Sequence, residues 1–374
     1  MPVARTPRFC RIGIAPLAVS LLLSTAPIAV ARAGSPTGSE RVLCRRDGHS
    51  VENSHEQHNN DLILWRVRWA GDDCSIDLRA TGDVKFNSDF TDIVSVTNGG
   101  SLDITDVDGN TTRRLRMRPD GRGMSRTYSV NGREQPWDET AQRWLAGLLI
   151  ELDRVSAAGV DYRFPSLYAA GGARAILDES EKMSGDYARG VYLRRLVDTE
   201  RLTDVEYQRV VDVAARMMSS DYEMSRLLRS VATRASLDSD AMRTSYITAV
   251  TRMSSDYERS RVLQTIFTKS AMSHDVARAA VRAAGSFSSD YERSRVLLAA
   301  IESKALEVDD VIPVLETVTR SSSDYEKSRV MLAVAARWTL SGDARKSYLR
   351  AADTIRSDYE NRRVLAALVR QEAR

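Results

Sequence analysis

Apolar and polar positions alternate along residues 61–133 and then change period. Residues 62–69 end at Gly71-Asp72, residues 75–79 near Gly82-Asp83, and residues 93–96 at Asn98-Gly99-Gly100. Residues 102–105, 115–118 and 127–130 come next, closed near Asp108-Gly109, at Asp120-Gly121 and at Asn131-Gly132. Short alternating runs punctuated by Asn-Gly and Asp-Gly predict about six hairpin-linked antiparallel strands. One face is apolar and the other carries Asp, Arg, Ser and Thr, so the predicted sheet covers a core on one side only. Trp65 and Trp69, four apart, share one face and read as core.

Beyond Pro136 the apolar period becomes helical. Ala141, Trp144, Leu145, Leu148 and Leu152 form a stripe at three- and four-residue steps behind the N-cap candidate Asp138. Residues 162–168, the pair Gly171-Gly172 and residues 173–183 read as helix, turn and helix. The stretch 134–184 is thus expected to cap a repeat stack beginning at residue 185, since terminal units of such a stack are atypical.

From residue 185 onward one phrase recurs, Ser-Asp-Tyr-Glu-x-Ser-Arg-Val-Leu. Its aspartates are Asp186, Asp221, Asp256, Asp290, Asp324 and Asp358, spaced 35, 35, 34, 34 and 34 apart. A fixed period of this size marks stacked repeats. Counting each aspartate as position zero, Ser at −1 and Glu at +2 form a capping box in five of the six copies. Leu202, Leu237, Met272, Leu306 and Leu340 at +16 are expected to plug the corner between two helices. Asp204, Asp240, Asp275, Asp309 and Asp343 are expected to N-cap the second helix, and Pro313 falls in its first turn, where its missing N–H is harmless. The tetratricopeptide pattern is absent. The expectation is an α+β, mainly α chain: a small antiparallel β domain at 61–133, then a HEAT-like α-solenoid of 34–35-residue helix pairs at 185–374. The sixth copy stops at Arg374 after its first helix.

Two rows run through the repeats. Tyrosine stands at +1 in every copy: Tyr187, Tyr222, Tyr257, Tyr291, Tyr325 and Tyr359. Arginine stands at +5 in the last five: Arg226, Arg261, Arg295, Arg329 and Arg363; the first copy has Val191. These rows either stack neighbouring units, with Tyr between them and Arg pairing Glu at +2 or the next aspartate, or they grip an extended, acidic peptide.

Charge changes the picture at the N-terminus. The chain has 54 Lys and Arg against 51 Asp and Glu. Residues 1–33 hold Arg5, Arg8, Arg11 and Arg32 and no acid, so without them 50 basic face 51 acidic side chains. That balance speaks against nucleic-acid binding, which calls for a concentrated basic surface. Three arginines, an apolar stretch and Ala31-Arg32-Ala33 read as a signal peptide cleaved after Ala33. Pro16 and Pro27 interrupt the stretch, against a membrane anchor, so the cleaved chain is not expected to be integral to a membrane. Residues 34–60 read as a flexible polar segment. Cleavage leaves Cys44 and Cys74, a disulfide candidate in an oxidising compartment.

Catalytic chemistry is not legible. His-Glu-Gln-His at residues 55–58 has the wrong spacing for a His-Glu-x-x-His zinc helix and reads as a loop. Asp103, Asp106, Asp108 and Asn110 lack the closing glutamate of a calcium hand and read as a polar hairpin turn. His274, without counterparts in other repeats, reads as a loop residue. No nucleophile motif is present, so no catalytic residue, metal ligand or cofactor is expected.

The Ser-Asp-Tyr-Glu-x-x-x-Val-Leu repeats resemble an uncharacterised group of bacterial exported proteins, as does the strand-rich segment 82–132 with its Arg-Thr-Tyr-Ser-Val-Asn-Gly ending. Similar repeats occur as extracytoplasmic extensions of BlaR/MecR-like membrane metallopeptidases. The resemblance covers residues 60–374 and is architectural; without His-Glu-x-x-His no peptidase role is carried over. Two functions are implied. One is an exported periplasmic, cell-envelope or secreted scaffold that binds protein or peptide. The other is an envelope sensor or regulatory module, with an envelope hydrolase as a remote third.

Overall fold

A computed structural model of the chain describes residues 50–58, 62–70, 74–121, 123–268 and 272–372. The segment 1–33 read as a signal peptide, its expected cleavage site and Cys44 lie outside these residues. Among the described residues the fold is α+β and mainly α, with a small antiparallel sheet region followed by consecutive helices.

Seven strands form one antiparallel sheet in the order β1 (Ser50–His58), β2 (Leu62–Ala70), β3 (Cys74–Thr81), β6 (Ser101–Asp108), β7 (Thr111–Asp120), β8 (Gly123–Val130) and β9 (Arg133–Gln135). Between β3 and β6 the chain makes a separate hairpin of β4 (Val84–Phe86) and β5 (Ile93–Val96). Alternation separates the faces. Val67, Ile76, Leu78, Ile104, Leu115 and Met117 are buried on one of them. Arg68, Arg79, Arg114 and Arg116 on the other are exposed. The buried face is closed by α1 (Glu139–Ser156) through Leu145, Leu148, Leu149 and Leu152, and by Phe86, Phe90 and Ile93 of the hairpin region. Register sets Trp65 opposite the buried Ala80 and Trp69 opposite the buried Ile76, so positions 65 and 69 stand in the columns of the core face.

The sheet is longer than its sequence signal. β1 occupies part of the segment expected to be flexible, and the His55 to His58 motif lies on this strand, not in a loop. Its register with β2, Ser50 opposite Ala70 through His58 opposite Leu62, supplies backbone partners that override its polar composition.

Asp138 N-caps α1, accepting from the N–H groups of Thr140 and Ala141. Next, α2 (Val160–Lys182) breaks at Gly171-Gly172, where Gly172 takes φ 60°, dividing it into two helices as the glycine pair predicts. The repeats then alternate two helix sets. α3 (Asp186–Thr199), α5 (Asp221–Arg234), α7 (Asp256–Ile266), α9 (Asp290–Glu302), α11 (Asp324–Arg337) and α13 (Asp358–Glu372) pack each on the next. So do α4 (Asp204–Met217), α6 (Asp240–Arg252), α8 (His274–Ala284), α10 (Val311–Val318) and α12 (Gly342–Ala352). Two parallel rows of helices with contacts between neighbours are the geometry of an α-solenoid. Leu237, Leu306 and Leu340 are buried at the corners, and Leu202 and Met272 are packed against the core.

Second-helix capping differs from expectation. The N-caps of α4, α6 and α8 are Thr203, Ser239 and Ser273, whose hydroxyls accept from Glu206, Met242 and Val276 N–H groups. Asp204, Asp240 and Asp275 sit within the first turn instead, where a carboxylate suits the helix dipole. Asp309 lies in a 3-10 turn before α10, and Asp343 is the second residue of α12.

Candidate functional site

The repeated phrase builds the joint between units and, one residue further on, their outer surface. At each joint the position-zero aspartate of one repeat accepts two backbone N–H groups from the loop that opens the next. Asp186 accepts from Ser219 and Ser220 at 2.8 and 2.7 Å, and Asp221 from Ser254 and Ser255 at 2.9 and 2.7 Å. Asp256, Asp290 and Asp324 repeat this with Ser288 and Ser289, Ser322 and Ser323, and Arg356 and Ser357. Helix-opening N–H groups are orphans, and here the preceding unit satisfies them.

This changes the role of the capping box. The serine half forms: Ser255 and Ser289 accept from the Glu258 and Glu292 N–H groups at 3.3 Å. The glutamate half does not, because the N-cap N–H already bonds the aspartate of the previous repeat. The glutamate turns inward instead. Glu292, Glu326 and Glu360 accept from the hydroxyls of Ser260, Ser294 and Ser328 of the preceding unit, at 2.5 Å for Ser294. At the first joint Gly190 replaces that serine and Arg194 donates to Glu223 at 2.6 Å.

A second inter-unit tie was missed by sequence reasoning. Arg189, Arg259, Arg293 and Lys327 at +3 are buried beside their own aspartates. Arg189 also donates to the Met217 carbonyl at the end of α4, and the others donate to the loop opening the next unit: Arg259 and Arg293 to the Ser286 and Ser321 hydroxyls, Lys327 to the Thr354 carbonyl. The available signal was a basic residue in four of six copies at a position that looks variable.

The tyrosine row lies on the surface. Tyr187, Tyr222, Tyr257, Tyr291, Tyr325 and Tyr359 are 49% to 69% exposed, so they do not fill the space between units. The arginine row leans over it. Arg226, Arg261, Arg295, Arg329 and Arg363 hold their guanidinium carbons 5.5–5.7 Å from the ring centres of the tyrosines four residues before them, within cation–π range. Each arginine pairs through Nη1 with the glutamate three residues back, at 3.6, 3.3, 3.1, 2.8 and 2.8 Å from the first to the last. The glutamates are buried and the arginines partly exposed. Five units therefore present the same group: a half-open phenol ring, a guanidinium on its face, and a buried carboxylate that fixes the guanidinium.

Other clusters are built into the scaffold. The Asp103 to Asn110 stretch does not converge: Asp103 pairs with Arg118 on the exposed sheet face, whereas Asp106 is buried and accepts from Trp144 Nε1 at 2.8 Å. Gly109 turns the β6–β7 hairpin at φ 54°. His274 is the first residue of α8, not a loop residue, and its ring meets the buried Asp310 together with Arg278. Burial works to raise the Asp310 carboxyl, but the Glu307 N–H, Arg278 and His274 hold it below the usual carboxylate range. Asp153, Arg163, Glu179 and Tyr192 form a buried polar network between α1, α2 and α3, and Tyr192 donates to Asp153 at 2.5 Å. A polar depression of about 410 Å³ on the outer sheet face is lined by Arg68, Asp77, Arg79, Asp103, Arg114 and Arg116.

Among the described residues no group of three or more His, Cys, Asp or Glu is placed to hold a metal ion, and no helix is long and apolar enough to cross a membrane. Compared with protein-family models, with curated proteins and with solved structures, the chain finds no match.

Proposed function

We propose that the chain is an exported, non-enzymatic binding or scaffold protein that holds a protein or peptide along the Tyr–Arg row of its solenoid. The carrying observation is the exposure of all six tyrosines, five of them beside arginines fixed by buried glutamates. A purely structural row would bury its rings. Aromatic and arginine side chains are the types that dominate interface energetics, and their placement on rigid helices limits the ordering cost of binding.

The test is crosslinking and affinity capture from the envelope fraction of the source cells, followed by mass spectrometry. The wild-type chain is compared with a Tyr257→Ser, Tyr291→Ser, Tyr325→Ser variant. A stoichiometric partner lost in the variant, with the melting temperature kept, supports the reading. Equal capture by both chains refutes it.

Export rests on the segment 1–33, and N-terminal sequencing of the mature protein should begin at Gly34. We also propose that Cys44 and Cys74 pair. Cys74 is buried at the head of β3 and is engaged, not free. A 30-residue separation makes such a bridge worth about 3.6 kcal/mol in the chain-entropy account. Non-reducing peptide mapping should recover the linked pair; two alkylatable thiols in the native protein would exclude it.

A further inference from the structure

Resting on the peptide-binding reading above, we infer that the ligand of the Tyr–Arg row is a proline-rich segment in the polyproline II conformation, lying along the stack with one turn per repeat. Three observations carry this. First, the row is periodic. The same ring, guanidinium and carboxylate recur on α5, α7, α9, α11 and α13, consecutive helices of one packed layer. Packed helices stand about 8–10 Å apart. A polyproline II helix has three residues per turn and rises ~3.1 Å per residue, so an equivalent position returns every ~9.3 Å. A β-strand returns to the same face every two residues, ~6.7 Å, and drifts out of step within two or three units.

Second, the rings are separated by polar ground. Each row tyrosine from α5 onward has the arginine of its own Glu–Arg pair over its ring. Val94, Val205 and Val308, also exposed, fall outside the repeated phrase; within it, Leu365 is exposed only on the last helix, α13, whereas its counterparts Leu228, Leu263, Leu297 and Met331 are buried. An amphipathic helix needs a continuous apolar stripe to cover, which isolated rings do not offer. A pyrrolidine ring every third residue needs only one aromatic face per step, the mode by which aromatic-lined grooves read proline-rich chains.

Third, donors are to spare. Only Nη1 of each row arginine is engaged by its glutamate. Among the described residues, Nε and Nη2 stay unbonded at Arg226, Arg261, Arg329 and Arg363, while Arg295 Nη2 makes a 3.5 Å contact with Gln264. A polyproline II chain has no internal hydrogen bonds, and its carbonyls need donors. The buried glutamate neutralises much of the arginine charge, so the ligand need not be acidic.

The experiment is calorimetric titration of the full chain with acetylated (Pro-Pro-Gln)n peptides, n from 1 to 5, against (Gly-Ser-Gln)n of equal length. The expected result is an affinity that rises several-fold with each added triplet for the proline series, stays unmeasurable for the flexible series, and falls at least tenfold in Tyr291→Ser. Tyr291→Phe, which keeps the ring, should restore most of the binding. Equal binding of both series with the same length dependence overturns the polyproline inference and leaves peptide binding standing. If neither series binds while the capture experiment still yields a row-dependent partner, the inference is again overturned and the broader reading survives. If that capture is also independent of the row, both fall.

Discussion

Asp290 shows how one side chain does two jobs. Its Oδ2 accepts the Ser322 and Ser323 N–H groups at 2.8 Å, and its Oδ1 pairs with the buried Arg293. Burial works against its charge, but the Ser322 hydroxyl, the two N–H groups and Arg293 outweigh it and hold the carboxyl at about 2. Its folded value lies below the ordinary carboxylate value, so its stabilisation is present above about pH 4 and is lost as pH falls through about 2. Asp290→Asn should melt several degrees lower at pH 7, and the gap should close between pH 4 and 2; thermal melts followed by circular dichroism across that range check it. Ser294 and Arg295, adjacent in sequence, should separate. Ser294→Ala removes a donor to the buried Glu326 and should cost about 1–3 kcal/mol. Arg295→Ala removes a partly exposed ion pair and should cost under ~1 kcal/mol. Urea denaturation measures both.

On the scale of one helix, α9 has two faces with different duties. Val296, Leu297, Ala300 and Ile301 are buried between neighbouring units, while Tyr291 is 54% exposed. Leu297→Ala should cost about 2–5 kcal/mol. Tyr291→Ala should stay within about 0.5 kcal/mol. Hydrogen exchange should show the first loosening α9 together with α7 and α11, and the second leaving protection unchanged. The helix starts were legible, because a serine before the aspartate is a local signal: its hydroxyl reaches a backbone N–H three residues on, and no other unit is needed. The far half of the capping box was misread for the same reason. The atom that displaces the glutamate belongs to a residue 33 or 34 positions away, and no local pattern specifies it. The strand β1 was missed in the same way, since its partners lie on β2 and its own composition is polar.

Across the whole molecule, α1 serves both halves of the described chain. Its leucines close the sheet core, while its Asp153 meets Arg163 at 2.9 Å and Tyr192 of the first repeat. Arg163 also donates to Glu179 at 2.9 Å, so one buried guanidinium sits between two buried carboxylates. Burial pushes the Asp153 carboxyl up despite its donors, Tyr192 first and then Arg163. Arg163→Met should destabilise by about 3–5 kcal/mol, because it leaves the buried Asp153 without a counter-charge, while Glu179 keeps Arg154 at 2.8 Å. Urea denaturation with limited proteolysis should place the new cleavage around residues 157–160, between α1 and α2. Unchanged stability would mean that the Asp153 carboxylate takes up a proton or water at little cost.

The repeat architecture was determined by the sequence itself. Apolar spacing, the 34- to 35-residue period and local caps all act within a few residues, and identical units have few ways to bury their apolar faces except on one another. Tertiary structure decided which face of the phrase is inside. Aspartate, the +3 cation, glutamate and serine turn to the neighbouring unit, while tyrosine and arginine turn out. Sequence alone leaves tyrosine at +1 and glutamate at +2 equivalent, since both recur in nearly every copy. The packing of one helix on the next separates them: the carboxylate meets the preceding unit's serine and the ring is left over solvent.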